Sequence, residues 1–552
     1  MWKRTLILLG GTCLSLFAQR MELEDVQRVM AQGVQAALRL SPNSNRIIAI
    51  TDREGHVLAV WDVNGVVAPN PTPSQAADVI SKAGAAAFLS SNQHAFSSRT
   101  AAFIVQNHFP PAVENRPNGP LVGVNFSNMA FSDTNKYKAP SPAGTFPTPP
   151  IPGTADLASA TPADAFRSVP FTSLLTLPAA ISSPGGVPLF KNGILVGGVG
   201  VMGFADAAVA DFDIFFQKNL NEEIASGAQS GYRPASSLTG DRVAIDGVRL
   251  AYIAETTDDE VVTDPATYLT ANGAAVQYVD IDGIPASGDN DPVDYSPKAS
   301  PSPVVYPDPF GYTGMGGVQG ELRSAIRSDP LPGTVTGAAR LTAAEVENIL
   351  RLAAERAQIS RAGIRLPRGQ ISRVWISVIN NPASANVEPV VLGTYRTPDA
   401  TMFSWDVAVQ KARTTLFFSR GKERGSPRAF SSRAVGFLSQ DRYPPGIGNN
   451  PQGPLFGIQQ LFSLQGGTIP EAPINANVPN GITIFPGGFP LYRNGVLIGA
   501  IGVSGDGIDQ DDIIAASGAR DFLPPAGARA DNFVYQNARL PYAKFPRASS
   551  SF

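Results

Sequence analysis

"GGVPLFKNGILVGGVGVMG" occupies residues 185–203 and "GGFPLYRNGVLIGAIGVSG" residues 487–505. Each has alternating apolar residues on both sides of an Asn-Gly dipeptide, Asn192-Gly193 and Asn494-Gly495. An Asn-Gly pair between two such runs predicts a two-residue β-hairpin. Gly197, Gly198, Gly200 and Gly203 recur along its second strand, where a missing side chain admits another backbone or a flat ligand.

The duplication extends outward from the hairpin. "AFSSR" stands at 95–99 and again at 429–433. "PPAVENRPNGPLVGV" begins at Pro110 and "PPGIGNNPQGPLFGI" at Pro444, the same spacing of 334 residues. The hairpins themselves are 302 apart, so the first copy carries extra chain, which falls in the Pro-rich stretch 138–166. Upstream, Val26, Val29, Met30 and Val34 form one helical stripe, and Val346, Ile349, Leu350 and Ala353 form another. Thr342 and Glu345 make a capping box ahead of the second helix. Residues 46–63 predict a hairpin about Asp52–Gly55, and residues 373–396 predict its longer-looped counterpart. A second helix follows each, over 73–91 and 404–420.

Helix, hairpin, helix, irregular loop, hairpin, helix is an α+β order with an antiparallel sheet. Two copies are too few for a solenoid and predict a pseudo-dimer. The expected division is a signal peptide at 1–19, a first domain at 20–224, and a Pro/Gly/Asp-rich linker and insertion at 225–337. A second domain at 338–519 and a loop-like tail at 520–552 complete it.

Composition narrows the function. A formal net charge of −3 over 552 residues, with no basic block, argues against nucleic acid as a partner. Lys3 and Arg4 precede an apolar run from Thr5 to Ala18, too short for a stable membrane span but suited to a signal-peptide core. The expected location is therefore secreted or periplasmic. Cys13 is the single cysteine, so removal of that segment leaves no thiol for disulfides or metals. No nucleophile elbow, zinc-protease motif or P-loop is present, and the glycine strings follow a hairpin rather than sit in a βαβ unit.

The segment order resembles the GlcG/HbpS/PduO-C family of small haem-binding, haem-degrading domains. The resemblance is carried by the first-helix residues (Leu23–Val26 and Leu341–Val346), the D-x-x-G hairpin (Asp52–Gly55) and the Lys-Ala pairs (Lys82-Ala83 and Lys411-Ala412). The repeated glycine hairpin and the acidic "GDGIDQDD" at 505–512 complete it. It implies an oligomerising domain that binds haem or a related planar or iron-bearing small molecule; haem degradation is implied by the family alone. The first copy reads "GFADAAVADFD" at 203–213 in place of the acidic segment, and the second breaks the D-x-x-G hairpin. A ligand-free structural or interaction protein on the same fold is the alternative.

Candidate ligand contacts follow from residue chemistry. All three histidines, His56, His94 and His108, lie in the first copy. His94 and His108 are the candidate iron ligands, against a helix-end role; His56 sits at a turn. Tyr443, where the first copy has Phe109, is a candidate tyrosinate ligand or a loop aromatic. Arg99 and Arg433 either hold haem propionates or anchor the following Pro-Pro loop. Asp509, Asp511 and Asp512 either cap a helix or hold a hard cation.

Overall fold

The structure, a computed structural model, describes residues 21–42, 46–55, 57–63, 73–104, 131, 133–134, 184–203, 219–234, 243–245, 248–250, 270–271, 274–275, 312–315, 317–363, 370–420, 428–447, 449–463 and 473–544. The N-terminal segment proposed as a signal peptide, His56, His108 and the Pro-rich stretch 138–166 lie outside the described residues.

The first half runs α1 (Leu23–Leu40), β1 (Arg46–Asp52), β2 (Val57–Asp62), α2 (Pro73–Leu89), α3 (Ser98–Ile104), β3 (Gly186–Lys191), β4 (Ile194–Gly203) and α4 (Leu220–Ala228). Two small ribbons follow, β5 (Val243–Ile245) with β6 (Val248–Leu250) and β7 (Thr270–Ala271) with β8 (Ala274–Ala275). The second half runs β9 (Tyr312–Met315), β10 (Val318–Ser324), α5 (Ala343–Ile359), β11 (Val374–Asn380), β12 (Val391–Arg396), α6 (Phe403–Ser419), α7 (Ser432–Leu438), α8 (Ile458–Ser463), β13 (Gly488–Arg493), β14 (Val496–Gly505) and α9 (Ile508–Gly518). Strands β15 (Val534–Tyr535) and β16 (Ala538–Arg539) form a terminal ribbon.

The first sheet has the order β2-β1-β4-β3, and the second repeats it as β12-β11-β14-β13, then adds β10 and β9 beyond β12. All these pairings are antiparallel. Registers repeat as well: Arg46 faces Gly203 as Val374 faces Gly505, and Asp52 faces Gly197 as Asn380 faces Gly499. Even the bulges match, at Leu189/Phe190 and at Leu491/Tyr492. The molecule is thus mixed helix and antiparallel sheet. Strands β9 and β10, inside the span expected as linker and insertion, are part of the second sheet.

The two hairpins turn as their sequence requires. Asn192 and Gly193 take φ of 52° and 80°, Asn494 and Gly495 50° and 80°, both residues left-handed as a type I′ turn demands. The glycines beyond the turn serve helix packing. A Cβ on Gly200 would collide with the Val79 carbonyl of α2, and one on Gly502 with the Ala408 carbonyl of α6. A helix backbone therefore occupies the space that the sequence leaves open to a backbone or a flat ligand.

One apolar core holds Val26, Val29, Ile48, Ile50, Trp61 and the buried face of β4. The second core, built on β11, β14, α5 and α6, also takes in Ala85, Phe88 and Leu89 of α2, and Phe96 and Ala101. The halves therefore share a continuous apolar seam. Phe522 and Tyr542 are buried in the same core, so much of the tail packs rather than loops freely.

Candidate functional site

The repeated AFSSR motif is built alike in both halves. Ser97 and Ser431 start short helices, their hydroxyls accepting from the N–H of Thr100 and of Ala434, each at 3.3 Å. Ser98 and Ser432 accept the N–H of Gly186 and of Gly488, each at 2.8 Å. These bonds tie α3 to β3 and α7 to β13. Arg99 then pairs with Glu222 of α4 at 2.6 and 2.8 Å, and Arg433 pairs with Asp512 of α9 at 2.8 Å. Arg433 also reaches Asp509 at 2.6 Å, and the Lys544 ammonium holds the other Asp509 oxygen at 2.6 Å.

Further contacts repeat in the same pattern. Lys82 and Lys411 donate to the carbonyls of Val201 and Val503. Lys191 pairs with Asp25 as Arg493 pairs with Glu345. The N–H of Phe190 bonds Tyr232 as that of Tyr492 bonds Phe522. An acidic helix is therefore present in the first half, at Leu220–Ala228; residues 204–213 lie outside the described residues. Its Glu222 stands where α9 has Asp512.

His94 is buried, and both ring nitrogens are engaged. Nε2 donates to the Leu89 carbonyl at 3.0 Å, and Nδ1 accepts from the Ser91 hydroxyl at 3.0 Å. The ring packs edge-on to Phe96, 5.0 Å between centroids. His94 thus closes the loop between α2 and α3, and in this conformation it offers no lone pair to a metal.

Tyr443 is 1% exposed, edge-on to Phe437 and Tyr535, and its hydroxyl donates to the Tyr535 carbonyl at 3.1 Å. Burial raises its pKa above the ordinary tyrosine value, away from the phenolate that iron ligation needs. Asp509 and Asp511 lie in the first turn of α9 and Asp512 just beyond it, and all three are ion-paired, Asp511 with Lys411 at 2.9 Å. No group of three or more His, Cys, Asp or Glu side chains is placed to hold a metal ion among the described residues. Burial opposes the charge on Arg433, but Asp512 and Asp509 outweigh it and raise its pKa. Asp509 shows the converse: burial acts to raise its pKa, and the hydrogen bonds from Lys544 and Arg433 prevail and lower it.

A buried charged cluster lies at the seam and has no motif in the sequence. Arg323 of β10 forks onto Glu54 of the first-half hairpin, Nη1 at 2.5 Å and Nη2 at 2.7 Å, and Nη1 also reaches Glu321 at 2.6 Å. Arg396 of β12 meets the other Glu321 oxygen at 3.3 Å. Beneath them, Trp375 and Trp405 stack at 4.8 Å and 8°. Arg323 lies 4.8 Å over Trp405, and Arg396 lies 5.3 Å over Trp375. Burial and the nearby Arg53 push Arg396 down to about 10. Burial alone would raise Glu321, but Arg323 and Arg396 hold it below the usual carboxylate range. Elsewhere along the seam Asp399 accepts the Asn92 N–H at 2.8 Å, and Arg413 forks onto Asp133.

These geometries decide how the described candidates fit haem. Haem needs a free donor at iron and cations for its propionates. His94 and Tyr443 have no free donor, and Arg99 and Arg433 are already paired with carboxylates. The four do not fit the group as they stand.

Residues 385–520 match the family model described as haem degrading protein HbpS-like. Two solved structures resemble the chain. The haem complex of PduOC is 23% identical, covering 33% of this chain and 93% of that one, with a TM-score of 0.22. Klebsiella pneumoniae protein ORFY, of the DUF336 family, is 15% identical, covering 38% of this chain and 91% of that one, with a TM-score of 0.19. Among curated proteins none matches the chain. No described helix is long and apolar enough to cross a membrane.

Proposed function

We propose that this protein binds haem or a related planar, iron-bearing small molecule, and that it does so as a tandem of two HbpS-like domains. The observation that carries this reading is the HbpS-like match over residues 385–520. The first half supports the tandem, since its strand order, register, AFSSR contacts and Arg–acid pair repeat those of the matched segment. The shared apolar core and the ion pairs Arg323–Glu54 and Arg413–Asp133 support a pseudo-dimeric arrangement within one chain.

His94 is occupied by Leu89 and Ser91, so the iron ligand in this proposal is His108. The protein works outside the cytoplasm after loss of residues 1–19. Titration of the full chain with hemin at neutral pH tests the binding. A saturable Soret shift that survives His94→Ala and is lost in His108→Ala is expected. Absence of any saturable shift in the wild type overturns the proposal. The mass of the exported chain reports whether the first 19 residues are removed.

A further inference from the structure

We infer that the AFSSR face of the first half is a docking surface for the chain's own residues 240–252, the counterpart of a C-terminal strap that lies on the same face of the second half. The docking rests on the tandem arrangement proposed above and involves no haem.

The strap of the second half is residues 526–544. Its backbone runs beside the AFSSR segment: the N–H of Ala429 donates to the Ala528 carbonyl at 2.7 Å, and the N–H of Ala530 donates to the Ala429 carbonyl at 2.9 Å. The Ser431 hydroxyl donates to the Tyr542 carbonyl. The Tyr542 ring meets Phe489 of β13 edge-on, 5.4 Å between centroids. Leu540 and Tyr542 are buried. Between these anchors the β15–β16 ribbon turns at Gln536 and Asn537, both left-handed, with φ of 45° and 63°.

The first half carries the same segment at a constant spacing. Glu222 and Tyr232 stand 290 residues before Asp512 and Phe522. At that spacing Asp241, Arg249, Leu250 and Tyr252 precede Asp531, Arg539, Leu540 and Tyr542. The ribbon register repeats: Ala244 faces Arg249 as Val534 faces Arg539, and Ile245 faces Val248 as Tyr535 faces Ala538. The residues between its strands are Asp246 and Gly247, a pair that favours two left-handed positions. A flexible linker has no need of a hairpin register or of matching apolar anchors.

The receiving face repeats as well. Ser97 begins α3 as Ser431 begins α7, and both are buried. Buried Val187 stands in β3 where Phe489 stands in β13, an apolar seat for the Tyr252 ring. One contact changes on both sides at once. Lys544 holds Asp509 at 2.6 Å, and at the same spacing the first half has Ala254 and Asn219. Both charges are gone together, as expected of residues that face each other. The first strap therefore keeps the apolar anchor and lacks the ionic one, and the span expected as a linker begins inside the first domain.

Amide hydrogen exchange of the full chain tests the docking. A two-stranded ribbon is marginal on its own in water, so protection there requires a partner surface. Exchange over 248–252 should be slowed by about tenfold or more relative to an unstructured chain, and less than over 538–542, where Lys544 adds its ion pair. Ser97→Ala should speed exchange at 250–252, and Ser431→Ala at 540–542, each in its own half. Leu250→Ala and Tyr252→Ala should lower the urea unfolding midpoint, as Tyr542→Ala does. Unprotected exchange over 248–252 in the wild type overturns the docking, as do exchange at 250–252 unchanged by Ser97→Ala or wild-type midpoints in both first-half variants. Hemin binding is read separately and is untouched by either result.

Discussion

Arg433 and Asp512 are joined at 2.8 Å across the gap between α7 and α9, and Arg99 and Glu222 make the same junction in the first half. The pair decides what the repeated AFSSR motif is for. Its arginine anchors the helix that follows the glycine hairpin, and its second serine anchors the hairpin's first strand. A motif that looks like a ligand clamp in sequence is a fastening between elements far apart in the chain. That fastening is worth repeating because each half must hold a short helix, a strand and a terminal helix together without disulfides.

Breaking the first-half junction should be costly. The side chains of Arg99 and Glu222 are 2% and 0% exposed, so Arg99→Ala takes the guanidinium away from a buried carboxylate. Removal of one partner of such a pair costs roughly 3–5 kcal/mol. Arg433→Ala should cost less, because the Arg433 side chain is 18% exposed, Asp512 keeps the hydrogen bond from the Lys544 backbone N–H, and Asp509 keeps the Lys544 ammonium. Urea unfolding of the two variants gives the ranking. An Arg99→Ala protein as stable as the wild type contradicts the fastening role.

Gly502→Ala should destabilise the second half through the backbone of α6. The added Cβ meets the Ala408 carbonyl and the Ala412 amide nitrogen, and backbone atoms cannot rotate away. Overpacking of this kind costs about 1–3 kcal/mol. Gly193→Ala has open space around it, and its cost comes from φ of 80°, roughly 1–2 kcal/mol. Lower denaturation midpoints are expected for both. Only Gly502→Ala should loosen α6, read as faster amide exchange in that helix.

Much of the fold was legible because its signals are local. Asn-Gly turns, the stripes of α1 and α5 and the Thr342–Glu345 box act within a few residues of themselves. The acidic helix of the first half was not, because β4 ends at Gly203 and α4 starts only at Leu220, whereas α9 follows β14 after two residues. Position after the hairpin alone therefore points to 203–213. The seam cluster was also illegible. Glu54 and Arg323 stand 269 residues apart, and nothing local records that they meet. The one available signal was two charges, Glu321 and Arg323, in the otherwise uncharged strand "VQGELRS". The roles of His94 and Tyr443 depend on Leu89, Ser91 and Tyr535, partners that sequence spacing does not identify.

Tyr443→Phe should leave hemin binding unchanged and cost about 0.5–1.5 kcal/mol of stability, the typical value of one hydrogen bond. The lost bond is the one to the Tyr535 carbonyl, and the ring contacts with Phe437 remain. Unfolding and a hemin titration on the same variant check both halves of the expectation. A Soret spectrum altered by the substitution places the phenol at iron after all.

Acid should act at the seam. The folded pKa of Glu321 lies below its ordinary value because Arg323 and Arg396 outweigh the effect of burial. A carboxyl with a depressed folded pKa contributes stability that is present above its unfolded pKa, about 4.3, and is lost as pH falls through the folded value. Stability should therefore decline below about pH 4. In Glu321→Gln that part of the decline should be missing, while stability near neutral pH is lower. Unfolding midpoints measured from pH 3 to pH 7 in both proteins give the comparison. Parallel curves would remove Glu321 as a source of the acid response.

Arg323 ties the two halves together. It bridges Glu54 of the first-half hairpin, Glu321 of its own strand and the face of the Trp405 ring. Arg323→Ala uncovers two buried carboxylates, and the loss for a buried pair is about 3–5 kcal/mol. Glu54→Ala leaves Arg323 with Glu321 and should cost less. If the two residues act through one another, the double variant costs less than the sum of the singles, with a coupling of about 0.5–3 kcal/mol. Trp375 and Trp405 lie stacked beneath the guanidinium, so tryptophan emission should change in Arg323→Ala before global unfolding. Additive losses and an unchanged emission would mean that the halves are held by the apolar seam of Phe88, Leu89 and Phe96, and that the ion pair follows from their packing.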